Sequence, residues 1–292
     1  MQKSVALVLS GGGSRGLAQI GAIYELEKQG FRITSVAGSS IGAVIGGLYA
    51  MGKLDEYTQW VSTFNMRDVW GFMDFTLTRH GLIKGERVFD KMKTFIPDMN
   101  IENMPIPYAA VATDILNEKE VVFAKGSFYS AARASVAIPA IFTPVKHEDT
   151  ILVDGGVLNP VPIKHVVRNK EDLLVVINLY GKKYAHAKQK ENEQAGNNGK
   201  LNGIMKSLST LVSTGDKDSV GYYSLLSMTT SSMICRIAEM SIEQFKPDIL
   251  INIPHDSAKT FEFYKANELI EMGKKAAKKA LTESKILNPN KK

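Results

Sequence analysis

The chain of 292 residues contains one cysteine, Cys235, and two tryptophans. A lone thiol closes no intramolecular disulfide, so a disulfide-stapled scaffold is excluded and a reduced, cytoplasmic setting is expected. No apolar run approaches the roughly 20 residues of a membrane-spanning helix. The first, Val5 to Leu9, is too short for the core of a secretory signal. Acid is scarce in two places. No Asp or Glu stands between Glu27 and Asp55. From Lys274 to Lys292, seven lysines (274, 275, 278, 279, 285, 291 and 292) face the single acid Glu283, which accounts for the whole net charge of +6. The remainder is neutral on balance, unlike a nucleic-acid binder with basic residues spread over a docking face. The basic tail, 274–292, is either a solvated helix face or a contact with anionic lipid.

What is present in quantity is apolar side chain, 44 % of residues, enough for one large domain spanning 1–292. Over the first half, β-branched runs alternate with helix-like runs, the pattern of parallel βα units. Helices are expected over Arg15–Gln29, Ile41–Ala50, Leu54–Phe64, Glu86–Phe95 and Phe128–Ser135, with another starting near Pro162. Strands are expected at Val5–Leu9, Ile33–Ala37, Pro107–Ile115, Glu120–Ala124, Ile151–Val153, Leu173–Leu179 and Pro247–Ile253. Segment 182–203 loses nearly all apolar residues and is expected to be a mobile polar loop. A long helical stretch, Ile204–Met240, and a closing amphipathic helix, Phe261–Leu281, complete the chain.

Three glycine boxes each follow an apolar run: Gly11-Gly12-Gly13-Ser14-Arg15-Gly16, Gly38-Ser39-Ser40-Ile41-Gly42 and Asp154-Gly155-Gly156. In the second, a nucleophile two residues after Gly38 and two before Gly42 is Ser40 rather than Ser39. The glycines at either end let a strand turn sharply into a helix. The first box also fits a dinucleotide fingerprint, but that needs an acid at the end of the second strand to hold a ribose, and the stretch from Glu27 to Asp55 has none. The same loop suits an oxyanion hole made of the Gly11, Gly12 and Gly13 amides with the Ile41 N–H opposite. Arg15 either adds positive charge there or serves a structural partner on a helix face. Asp154 is the candidate base, provided desolvation raises its affinity for a proton. A triad of Ser40, Asp154 and His255 in α/β-hydrolase order is the alternative, although the serine turn comes very early in the chain for that fold.

These boxes, with softer matches at Gly81-Leu82-Ile83-Lys84-Gly85, Ala134-Ser135-Val136-Ala137-Ile138-Pro139 and Asn159-Pro160-Val161-Pro162, resemble the patatin-like phospholipases from about Val5 to Leu179. The resemblance implies a three-layer α/β/α fold with a mostly parallel central sheet. It also implies a Ser40–Asp154 dyad without histidine, Gly11–Gly13 as oxyanion hole, and lipid acyl ester as substrate with neither metal nor other cofactor. Peripheral contact with the inner membrane surface, and no nucleic-acid partner, go with that reading. A non-catalytic nucleotide or lipid binder that retains the loops is the competing class. The aromatics Tyr57, Trp60, Phe64, Trp70, Phe72 and Phe75 either line an acyl cleft or form ordinary core. Met228, Met233 and Met240 are either adaptable packing or a lid.

Overall fold

The computed structural model describes residues 3–78, 81–182 and 222–284. Its strands are β1 (Lys3–Leu9), β2 (Phe31–Ser39), β3 (Phe75–Thr78), β4 (Gly81–Ile83), β5 (Tyr108–Asp114), β6 (Lys119–Phe123), β7 (Val145–His147), β8 (Thr150–Asp154), β9 (Leu173–Gly181) and β10 (Ile249–Pro254). Its helices are α1 (Leu17–Lys28), α2 (Ile41–Ala50), α3 (Leu54–Ser62), α4 (Met66–Phe72), α5 (Glu86–Lys93), α6 (Phe128–Ser135), α7 (Tyr222–Phe245) and α8 (Ala266–Glu283). The chain divides into two units, Met1–Tyr184 with Ile237–Lys292, and Ala185–Arg236. The described part of the second is the N-terminal portion of α7.

The first unit holds a sheet of order β10-β9-β1-β2-β5-β8-β7, with β6 on β5. From β10 to β5 every pairing is parallel. The central strands are apolar at nearly every position because both faces are covered. On one face Val5, Leu7 and Leu9 of β1 join Val175, Ile177 and Leu179 of β9 in a large core with α1, α2, α3, α5, α6 and α8. On the other, Val8, Leu174 and Val176 pack with Val161, Ile163 and Ala238 of α7. Helices on both faces of a mostly parallel sheet make the three-layer α/β/α arrangement expected from the sequence. Among the described residues, no helix is long and apolar enough to cross a membrane.

The antiparallel end of the sheet builds the site. β5 pairs with β2 over Tyr108–Val111 and with β8 over Ala112–Asp114, while β6 pairs over Ala110–Asp114. A strand has two edges, so β2 and β8 must share the edge opposite β6. They run towards each other along it, and their C-terminal ends, Ser39 beside Val111 and Asp154 beside Ala112, meet head-on.

Several expectations need correction. The helix near Pro162 is one 3₁₀ turn, Ile163–His165, after which Val166 is extended. Proline at 160 and 162 removes two amide donors, and the Val167 carbonyl is taken by the Ser35 hydroxyl of β2, which holds the chain straight. α4, the β3–β4 hairpin and β7 were not expected. Of the loop expected over 182–203, residues 183–203 lie outside the described residues, as do 204–221 of the helical stretch expected over 204–240 and 285–292 of the tail.

Candidate active site

β2 delivers Ser40 into a turn with φ 54° and ψ −128°, a region costly to any residue with a Cβ. The turn is tight: a Cβ on Gly38 would lie 2.2 Å from the Gly42 carbonyl oxygen, and one on Gly42 2.3 Å from that of Leu9. Side chains at either position would break the junction of β2 with α2. The Ser40 amide is held by Ser135 of α6, whose hydroxyl accepts from the Ser40 N–H at 2.8 Å and donates to the Val111 carbonyl at 2.6 Å. Ser135 therefore ties the turn to β5. Position 135 falls within Ala134–Pro139, the stretch whose family resemblance was the only sequence signal for it.

The Ser40 hydroxyl donates directly to Asp154 Oδ2 at 2.6 Å, and the other carboxylate oxygen accepts from the Gly156 N–H at 2.7 Å. Both residues are nearly enclosed, Ser40 being 6 % and Asp154 5 % exposed. Burial pushes the Asp154 carboxyl up to about 6, against the opposing pull of the bonds from Ser40 and Gly156. The desolvation the chemistry requires is thus present. No histidine bonds to either residue among the described side chains. His255 lies with Nδ1 3.2 Å from the Gly181 carbonyl, and His165 is paired with Glu120 at 2.6 Å.

The first glycine box runs beside this pair. Its Gly11 N–H donates to the Pro160 carbonyl at 3.0 Å, so the expectation that all three amides face an oxyanion is corrected: this one is committed to the fold. The Gly12, Gly13 and Ile41 N–H groups donate to no acceptor among the described residues. Gly13, at φ 60°, and Ile41 line a cavity together with Ser40. Arg15 does not aim its charge at the serine. Its Nε donates to the Gly12 carbonyl at 2.9 Å and its Nη1 to the carbonyls of Leu179 and His255 at 3.2 and 2.5 Å. In a planar trans peptide the N–H points opposite the C=O, so anchoring the Gly12 carbonyl also sets the direction of the Gly13 N–H.

The cavity has a volume of about 140 Å³ and is almost wholly apolar. Beyond Ser40 its walls include Val44, Trp60, Phe64, Phe72, Phe89 and Phe142. The rings interlock, with Trp60 centred 4.7 Å from Phe64, 5.5 Å from Phe72 and 5.2 Å from Phe95. The aromatic segment thus supplies both core and cavity wall, while Trp70 faces solvent. Met228, Met233 and Met240 are exposed on α7.

The sequence profile of the patatin-like phospholipases matches residues 7–167, more than half of the chain and all three glycine boxes. The chain belongs to the patatin-like phospholipase family. Over 97 % of its length it is 29 % identical to an uncharacterized NTE family protein of Mycobacterium tuberculosis (strain ATCC 25618 / H37Rv), spanning 92 % of that protein. A patatin-like phospholipase domain-containing protein of Caenorhabditis elegans is 33 % identical over 57 % of this chain and 13 % of its own length. Lysophospholipase NTE1 of Meyerozyma guilliermondii is 28 % identical over 61 % of this chain, again 13 % of its own length. Among solved structures, VipD of Legionella pneumophila superposes with a TM-score of 0.49 at 15 % identity, over 97 % of this chain and 67 % of that one.

For a patatin-like phospholipase, the residues picked out by sequence are brought together closely. Ser40 and Asp154 touch, and Gly13 and Ile41 share a cavity wall with Ser40. Gly16 packs under α2, where a Cβ would lie 2.3 Å from the Ile41 side chain. Gly155 is equally confined, a Cβ there meeting the Val111 carbonyl oxygen at 2.1 Å. Gly11 and Arg15 bond to backbone carbonyls of the fold.

Proposed function

We propose that this protein hydrolyses fatty acyl esters of lipids, with Ser40 as nucleophile and Asp154 as base. The observation that carries this reading is the direct 2.6 Å hydrogen bond from Ser40 to a carboxylate that burial holds at about 6. As the Ser40 oxygen attacks the acyl carbon, its proton passes to Asp154, and the carbonyl electrons move onto oxygen. The amides of Gly12, Gly13 and Ile41 receive that oxyanion, and fixed donors of this kind each contribute about 10²-fold or more to turnover. The acyl chain lies in the aromatic cavity. The alcohol departs with that proton from Asp154, water attacks the acyl-serine as Asp154 accepts its proton, and the proton returns to Ser40 as the fatty acid leaves. An apolar cavity of this size beside Ser40 suits a lysophospholipid or another single-chain ester, in keeping with the name of the Meyerozyma relative.

Substitution Ser40→Ala should reduce hydrolysis of p-nitrophenyl octanoate to background and abolish labelling by a fluorophosphonate, which needs an activated serine. Retained turnover would refute the assignment. A dyad also predicts that His255→Ala keeps activity. We further propose that α8 and the lysines beyond it touch anionic lipid surface. Cosedimentation with phosphatidylglycerol vesicles should then weaken as salt rises, and binding indifferent to salt would count against it.

A further inference from the structure

Along β9 the side chains alternate: Ile177 and Leu179 enter the large core, whereas Val176 and Tyr180 turn to the opposite face of the sheet. The aromatic cavity is built from the first face, since Ile41, Val44, Phe89 and Met92 belong both to it and to that core. Tyr180 therefore approaches the dyad from the side away from the cavity. Its hydroxyl comes close to both halves. A Cβ on Gly11 would stand 2.9 Å from the Tyr180 hydroxyl oxygen and 3.2 Å from Ser40 Cβ. A Cβ on Gly156 would meet Asp154 Oδ1 at 3.0 Å and the same hydroxyl at 3.9 Å. The place a Cβ would take on each glycine is thus bordered by the phenol on one side and a catalytic side chain on the other. The residue is well anchored, its N–H donating to Asn178 Oδ1 at 3.1 Å and the Arg15 guanidinium standing 6.0 Å from its ring centroid.

The tetrahedral carbon formed on Ser40 carries four groups. The serine oxygen is one, the oxyanion faces Gly12, Gly13 and Ile41, and the acyl chain enters the cavity. The remaining direction, for the ester oxygen that leaves, is the side where Tyr180 stands. We propose that Tyr180 is a further catalytic residue of this site, its phenol O–H donating a hydrogen bond to the leaving alcohol oxygen of the ester. The inference rests on the Ser40–Asp154 reading. When the carbon–oxygen bond breaks, its electron pair goes to the leaving oxygen, and the proton that Asp154 took from Ser40 completes the alcohol. Tyr180 keeps its own proton and stabilises the charge while that transfer occurs, so atoms and charge balance without another reactant.

The consequence depends on the leaving group. An alkoxide concentrates negative charge on one oxygen, whereas p-nitrophenolate spreads it over the ring and needs no donor. Tyr180→Phe should therefore lower kcat/KM for glyceryl monooctanoate by about 10- to 100-fold more than that for p-nitrophenyl octanoate, as expected for one hydrogen bond to a developing charge. An equal loss on both esters would make Tyr180 merely structural, and no loss on either would remove it from the reaction; each result overturns the proposal. Should the Phe variant not fold, Tyr180→Leu, which keeps an apolar group against Val176, must give the same split between esters. Ser40→Ala measured alongside separates the two readings. If it still cleaves the p-nitrophenyl ester, the dyad itself is wrong, whatever Tyr180 does.

Discussion

Ser40 follows β2 at φ 54° and ψ −128°, whereas Asp154 ends β8 at φ −49° and ψ 135°, a conformation any residue adopts. The serine side of the pair stores its cost in the backbone, and the two glycines with the Ser135 hydroxyl hold it there. The acid side has relaxed backbone and stores its cost as electrostatics, a carboxylate kept from water with one backbone amide and one hydroxyl for company. Direct serine–carboxylate catalysis needs both. An accessible Asp would hold the serine's proton too weakly, and a relaxed serine turn would not aim the hydroxyl at the end of β8.

The comparison is broken most forcefully on the acid side. Asp154→Asn keeps the shape but loses the base, and should lower kcat/KM for acyl esters by about 10²- to 10⁴-fold. In the wild type the same group predicts that kcat/KM rises with pH through about 6 and then levels, because Asp154 must be ionised to accept the proton. A flat profile between pH 5 and pH 8 would contradict the assignment.

Stability should move in the opposite sense. Burial raises the Asp154 carboxyl from 3.8 to about 6, so between those values the folded state binds the proton more tightly than the unfolded one. The contribution of this group to stability therefore falls as pH rises through that window and is constant above it. Asn has no such dependence. Urea unfolding should show wild type losing on the order of 3 kcal/mol of stability relative to Asp154→Asn between about pH 4 and pH 8. On the serine side, Ser40→Gly should stabilise by about 1–3 kcal/mol by relieving the positive φ, whereas Ser40→Ala, which retains a Cβ, should not. The smallest effect sharpens the contrast. Ser135→Ala leaves the Ser40 amide and Val111 carbonyl without their bond and should cost about 1–2 kcal/mol, less when Ser40 is already Gly. Additive losses would mean that Ser135 does not hold the strained turn.

Much of this was legible beforehand because glycine spacing reports backbone geometry directly. Gly38 and Gly42 picked Ser40 over Ser39, and the gap without acid from Glu27 to Asp55 removed the dinucleotide reading. Apolar runs located the core strands to within a residue or two, and α2 and α6 fell where expected. The misreadings share a cause. At Pro162 the local pattern suggested a helix, but the Ser35 hydroxyl captures the Val167 carbonyl and straightens the chain. At Gly11 the motif promised an oxyanion donor, but the Pro160 carbonyl, far along the chain, takes that amide. Arg15 likewise found three carbonyls that no local pattern reveals.

Sequence alone determined which serine and which carboxylate are the candidates for nucleophile and base, and that a strand turns sharply into a helix between Gly38 and Gly42, since those follow from side-chain chemistry and the steric demands of a tight turn. Tertiary structure decided that the serine hydroxyl meets the carboxylate directly. β2 and β8 run at each other along one edge of β5, which sets hydroxyl against carboxylate and shuts water out. The same packing decided which amides remain free to donate and brought Tyr180 to the other side of the dyad, because hydrogen-bond partners distant in the chain are chosen only when the strands assemble.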